Sequence, residues 1–263
     1  MKKKRVAIVT GASSGIGLSI AKYLAAKGCT VYGAARSKFE CEGINYSQLD
    51  VTDHSAVKAF VADVFSREGR IDILVNNAGM GISGAIESTE IEKVEKIFNT
   101  NYFGALYFCQ AVIPHMRDIK GGKIVNICSV ASIIGLPFQS FYSSTKAALL
   151  SLTEALRMEL KPFGVKACAI LPGDVHTGFT DSREKNKHDA EVYGDKIKKS
   201  VGTMEHDERN GMSPKKVAKA VYKQLKKRNP RPQKVVGFKY KILSLLMKFL
   251  PRRFVLWAVG KIY

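Results

Sequence analysis

Thr10-Gly11-Ala12-Ser13-Ser14-Gly15-Ile16-Gly17 is the stretch on which the fold turns. A short apolar run precedes it, Val6-Ala7-Ile8-Val9, and a segment with helical apolar spacing follows, residues 16–27. Glycines at a strand-to-helix junction let the chain turn tightly and let its backbone approach a pyrophosphate, toward which the unpaired N–H groups of the helix start point. A glycine cluster alone is also found in ordinary turns. Its place between a strand and a helix reads as a dinucleotide cradle, with Gly11, Ser13, Ser14, Gly15, Ile16 and Gly17 as contacts.

Outward from this junction, apolar β-branched runs alternate with helix-period segments. Strands are predicted at residues 5–9, 30–34, 44–49, 71–76, 123–128 and 165–170, with a last one near 235–238. Helices are predicted at 16–27, 55–67, 91–116 and 145–161, the last stopped by Pro162. This alternation predicts an α/β fold: a single Rossmann-type, doubly wound parallel sheet with helices on both faces and ligands at the strands' carboxyl ends. Residues 1–238 are expected to form the dinucleotide-binding and catalytic domain. Within it, the polar, weakly periodic stretch 177–211 reads as a mobile insertion serving as a substrate lid, its charges turned outward.

The 263 residues carry 42 Lys and Arg against 23 Asp and Glu, a formal net charge of +19. From Ser213 onward there are fifteen basic residues and no acidic one, whereas the first 212 residues hold 27 basic and 23 acidic, a balance of +4. The basicity belongs to the tail. Aromatic residues are not interleaved with it along a recognisable nucleic-acid module, so no nucleic-acid partner is expected. The five cysteines (29, 41, 109, 128 and 168) are scattered and lack metal or disulfide spacing. His115, His176 and His188 match no metal site either, and no metal is expected. No apolar run reaches a membrane span. Met1-Lys2-Lys3-Lys4-Arg5 and the short apolar run after it are read as a solvated start and a first strand rather than a leader, which makes a cytoplasmic location the expectation.

The residue after the second strand selects between the two nicotinamide dinucleotides. An acid there binds the ribose 2′-hydroxyl, and an arginine receives a 2′-phosphate. The strand ends Gly33-Ala34-Ala35-Arg36-Ser37, with no acid and a guanidinium that can grip phosphate in bidentate fashion. NADP(H) is therefore the expected cofactor, held by Arg36 and, secondarily, by Ser13 and Ser37.

Tyr142-Ser143-Ser144-Thr145-Lys146 supplies the chemistry. In a helix Tyr142 and Lys146 share a face. A free phenol has a pKa near ~10, and a neighbouring ammonium and a helix N-terminus favour its ionised form. Tyr142 could then give a proton to a carbonyl oxygen as hydride reaches the carbon, or take it in reverse.

These motifs, in this order, resemble the short-chain dehydrogenase/reductase family. The glycine motif has its T-G-x-x-x-G-x-G spacing, Asn76-Asn77-Ala78-Gly79 its N-N-A-G, and Tyr142/Lys146 its Y-x-x-x-K. The resemblance implies that Asn77, Ala78 and Gly79 border the cofactor and that Asp50 and Val51 hold the adenine. It implies that Pro172 and Gly173, with Val175 and Thr177 beyond them, lie at the nicotinamide. It further implies that Ser129 hydrogen-bonds the substrate oxygen, that Asn101 holds a proton-relay water, that Lys146 also binds the nicotinamide ribose, and that the chain forms dimers or tetramers. The stretch Pro172–Phe179 is similar to that of the hydroxysteroid and retinol dehydrogenase branch, with Asp174 a departure. That similarity implies a hydrophobic carbonyl or alcohol substrate. A non-catalytic NADP(H) sensor or scaffold is the alternative.

Residues 239–263 read as a basic amphipathic extension: Ile242, Leu243, Leu245, Leu246, Phe249 and Leu250 share an apolar face, and after Pro251-Arg252-Arg253 a second apolar run begins. Two readings stay open. The extension either packs on the body, walling the pocket or meeting another copy, or lies on an anionic membrane surface.

Overall fold

The computed structural model describes residues 4–186 and 190–263. Among them, seven strands form one all-parallel sheet. In chain order these are β1 (Val6–Thr10), β2 (Thr30–Ala35), β3 (Ile44–Gln48), β4 (Ile73–Asn76), β6 (Gly122–Ile127), β7 (Val165–Pro172) and β9 (Gln233–Val236). They lie side by side as β3-β2-β1-β4-β6-β7-β9, so the order reverses between β1 and β4. A crevice at the carboxyl ends of the strands follows from that reversal. A separate parallel pair is formed by β5 (Ile82–Ser83) and β8 (Glu184–Lys185).

Both faces of the sheet are covered, as its near-continuous apolar strands require. In β1 the side chains alternate between two cores. Val6 and Ile8 join Val57, Phe60, Phe108 and Val112 on one face, while Ala7 and Val9 join Ile20, Leu24, Val217 and Val221 on the other. The first face carries α2 (His54–Glu68) and α4 (Gly104–Asp118), with α5 (Ser140–Glu159) beside them; the second carries α1 (Gly15–Ala25) and α8 (Pro214–Leu225). Phe108 is fully buried, a placement that contributes about 1.5–3 kcal/mol over leaving such a ring in water. Local signals set the ends. Asp53 accepts from Ala56 N–H at 2.9 Å to cap α2, and Gly69 ends it at φ +68°.

The expected fold stands, with corrections in its helices. The segment 91–116 is not one uninterrupted α-helix: α3 (Ile91–Phe98) passes through a π-turn (Asn99–Phe103) into α4. The extra residue in such a turn re-aims the side chains at the bulge. Helix α5 begins at Ser140, five residues before its predicted start.

The stretch 177–211 is not a featureless insertion. It holds α6 (Ala190–Tyr193) and α7 (Asp195–Arg209), and α7 buries Ile197, Ser200 and Met204. After it comes α8, a core helix that strand-and-helix patterning did not predict. The extension at 239–263 forms α9 (Phe238–Leu246) and α10 (Arg252–Ile262), both docked on the body. Arg252 Nη1 donates to Ile133 O at 3.4 Å and Val255 is buried. His188 lies outside the described residues.

Candidate active site

A cavity of about 590 Å³ opens at the carboxyl ends of β1, β4, β6 and β7, where the strand order reverses. That size lies within the usual range for small-molecule and cofactor sites. Gly11, Ser13, Ser14, Gly15 and Ile16 line one part of it. The glycines there are steric necessities. Gly11 stands at φ +63°, and an added Cβ would lie 2.9 Å from Ala78 Cα. A Cβ on Gly17 would meet Gly11 O at 2.1 Å. Gly17 does not itself line the cavity; it lets α1 start close against the turn, and the N–H groups of that start face the crevice. This cradle fits a dinucleotide pyrophosphate.

The turn after β4 is locked to the turn after β1. Thr10 Oγ1 accepts from the N–H groups of Asn77 at 2.9 Å and Ala78 at 3.0 Å, and Asn77 Nδ2 donates to Thr10 O at 3.0 Å. Asn77, Ala78 and Gly79 thereby face the cavity from a fixed position. At one end Ala35, Arg36 and Ser37 close the site, together with Asp50 and Val51. Arg36 is exposed and Ala35 buried, so the end of β2 presents one guanidinium and no carboxylate. Asp50 Oδ1 is engaged locally, accepting from Thr52 N–H at 2.9 Å and Thr52 Oγ1 at 2.8 Å. Pro172, Gly173, Val175 and Thr177 line the opposite part. Pro172 is the last residue of β7 rather than the first beyond it.

Tyr142 and Lys146, on the first two turns of α5, both face the cavity, and Ser129 faces them from the end of β6. The Tyr142 and Ser129 side chains line the same part of the cavity, Ser129 Oγ accepting from Ala131 N–H at 3.1 Å. Lys146 Nζ lies 5.8 Å from the Tyr142 ring centre and donates to Ile127 O at 3.0 Å. Among the protein's own groups, therefore, the phenol is not acidified by its lysine neighbour. Burial pushes Tyr142 up to about 12, opposed chiefly by the nearby Ser129 hydroxyl, and burial pushes Lys146 down.

Asn101 stands behind this group rather than at the cavity surface. It is fully buried in the π-turn, accepts from Met80 N–H at 2.8 Å, and donates to Met80 O at 3.0 Å and Thr145 Oγ1 at 3.1 Å. A Cβ on Gly79 would come within 3.1 Å of Asn101 Oδ1 and 3.5 Å of Lys146 Nζ, so these three groups adjoin. Two of the histidines singled out in the sequence lie in structural contacts: His115 stacks on Phe65 with ring centres 4.0 Å apart, and His176 Nδ1 meets Arg209 O.

Sequence reasoning missed one wall. Met204, Asp207 and Glu208 recur at helical spacing on α7 and face inward, so two of the lid's charges line the cavity instead of solvent. Glu208 is held by Thr180 Oγ1 at 2.7 Å and by the buried Arg183, whose guanidinium sits 5.9 Å over Phe179; that ring in turn lies 5.8 Å from Tyr142. Asp174 joins this wall, and burial together with the nearby Asp207 carboxylate raises it to about 6.

The C-terminal helices form another wall, one of the placements the sequence left open. Tyr240, Leu243, Met247, Val259 and Ile262 line the same cavity, facing Ile133, Ile134 and Leu136 from the loop after β6. A Cβ on Gly173 would lie 1.9 Å from Tyr240 Cδ2, a contact only glycine allows.

The family model described as short chain dehydrogenase matches residues 5–188, more than half of the chain. The chain is a short-chain dehydrogenase/reductase. It is 39% identical over 263 residues to the 3-ketodihydrosphingosine reductase of Bacteroides thetaiotaomicron, with 98% of each chain covered. Among solved structures, a short-chain dehydrogenase from Streptomyces avermitilis superposes with a TM-score of 0.84 at 31% identity, over 98% of this chain and 97% of that one. One from Burkholderia cenocepacia in complex with NADP superposes at 0.74 with 25% identity, covering 94% and 95%. As a member of the short-chain dehydrogenase/reductase family, the protein is an oxidoreductase of carbonyl or alcohol groups with a nicotinamide cofactor.

Proposed function

We propose that this protein is an NADP(H)-dependent reductase or dehydrogenase that interconverts a carbonyl with a primary or secondary alcohol on a hydrophobic, lipid-like substrate. One observation carries the reading. Tyr142, Ser129 and Lys146 line one cavity between a glycine cradle ending in Arg36 and an apolar wall of Ile133, Ile134, Leu243, Met247 and Val259.

Arg36 and Ser37 hold the 2′-phosphate, and Ala35 supplies no carboxylate to repel it. When bound, the nicotinamide supplies the hydride for reduction or accepts it in oxidation. Ser129 orients the substrate oxygen by hydrogen bonding, and Tyr142 donates the proton that oxygen needs as the carbonyl carbon is reduced. Lys146 holds the nicotinamide ribose hydroxyls. Asn101 acts as a positioning residue, pinning the π-turn to Met80 and α5 next to Lys146. The name of the Bacteroides relative agrees with a long-chain keto substrate, and the Burkholderia structure contains NADP. A cytoplasmic site of action at a membrane surface and a dimeric or tetrameric assembly complete the reading.

The test is dinucleotide oxidation against a panel running from small ketones to steroids, retinoids and long-chain keto-lipids. Turnover is expected with NADPH in preference to NADH, and with apolar substrates in preference to small ones. Arg36→Ala should lower kcat/KM for NADPH about 10- to 100-fold while leaving that for NADH nearly unchanged. Equal losses with both dinucleotides would remove the assignment of Arg36.

A further inference from the structure

The inner faces of α9 and α10 wall the cavity, but their outer faces have no covering. Phe238 and Phe249 are each 79% exposed and Trp257 59%, with Leu245 and Phe254 also in solvent. Exposed large apolar groups concentrated on two adjacent elements mark a contact surface rather than ordinary scatter. Six cations and no carboxylate share residues 239–263 with them.

A second observation lies next to the first. Between α8, β9 and the start of α9 is a separate cavity of about 640 Å³. Lys216, Lys219, Lys223, Lys227, Lys234 and Lys241 line it, and the exposed Phe238 lies at its edge. Lys239 faces it too but is partly neutralised by Asp207 at 3.8 Å, and Asp174 is the other carboxylate there. Cations thus outnumber the acids by a wide margin. Burial lowers the Lys234 pKa, and so do its like-charged neighbours Lys241, Arg231, Lys227 and Lys223. Such crowding is relieved by anions.

We infer that α8, α9 and α10 together form a platform for an anionic lipid bilayer: the lysine cavity takes headgroup phosphates, while Phe238, Phe249 and Trp257 enter the interface. A basic, amphipathic helix pair suits that plane. Among the described residues no helix is long and apolar enough to cross a membrane, so the platform lies on the surface. A second copy of this chain fits less well, because a two-fold contact would set each cationic face against itself. The inference rests on the lipid-like substrate proposed above and deepens it: the helices that touch lipid with one face wall the reaction cavity with the other, so substrate enters from the bilayer side.

The experiment is flotation of the full-length chain with phosphatidylcholine vesicles, with and without phosphatidylglycerol, alongside NADPH binding and turnover of a soluble ketone. The chain should float with anionic vesicles and release as salt rises. Phe249→Ser/Trp257→Ser should abolish flotation, and each of Lys216→Gln, Lys219→Gln and Lys223→Gln should lower vesicle partition about fivefold. Both sets should leave NADPH binding unchanged. Turnover without flotation would overturn the platform, as would flotation unaffected by these changes, or a fall in oligomer mass in the double variant without vesicles. Flotation with no turnover of any carbonyl would instead overturn the proposed activity and leave the platform standing.

Discussion

Asp174 shows how a buried side chain writes itself into a pH profile. Its carboxyl is raised from 3.8 to about 6, first by burial and then by Asp207, against the pull of Lys239. A carboxyl that is harder to ionise in the folded state than in the unfolded one favours folding below its unfolded pKa. That contribution is lost as pH rises through the folded value. Asp174→Asn should therefore raise the melting temperature above pH ~7 and change it little below pH ~4. Thermal melts at both ends check this; a substitution that destabilises the protein equally at both would show that Asp174 matters for packing and not for charge. Asp174 stood out in the sequence as a departure from the family pattern. Its partners Asp207 and Glu208 did not, because charged residues in a polar stretch default to solvent. The inward aim of Glu208 depends on Thr180 and Arg183, and that of both on the pitch of α7.

At the scale of elements, what was legible followed periodicity and glycine. The inner strands were readable because each is largely apolar and buried, while the edge strands β3 and β9 are more polar and partly exposed; the β1–α1 turn was readable because its glycines have no steric substitute. Helix α8 was readable and missed. Val217, Ala218, Val221 and Leu225 form an apolar stripe, but the lysines between them hide it in composition. Helix α7 gave a weaker signal, since one of its three buried residues is Ser200. Ile197 is 8% exposed, so Ile197→Ala should cost about 2–4 kcal/mol in denaturant unfolding. A stretch 195–209 that merely hung over the cleft would show no such loss. The π-turn at Asn99–Phe103 has no sequence signature of its own. The family resemblance pointed to Asn101, and the turn explains how one helix can bring that side chain to Met80 and Thr145.

At the scale of the molecule, a reversal of strand order in a parallel sheet gathers groups from across the chain into one crevice. Of the residues expected there, Gly17 and Asn101 stand behind the surface, and the rest line it. Tyr240 over Gly173, and Met247 with Val259 along the opposite wall, were beyond sequence reading because they are contacts between segments far apart in the chain. The account as a whole depends on the Tyr142 hydroxyl as the proton donor. The direct measurement is NADPH oxidation by the wild-type protein and by Tyr142→Phe with the best substrate from the carbonyl panel, beside NADPH binding measured by fluorescence. The phenylalanine variant should bind NADPH as tightly as the wild type and lose turnover by about 10²- to 10⁴-fold. Undiminished turnover in that variant, or a wild-type protein that binds NADPH and reduces no carbonyl, would contradict the account.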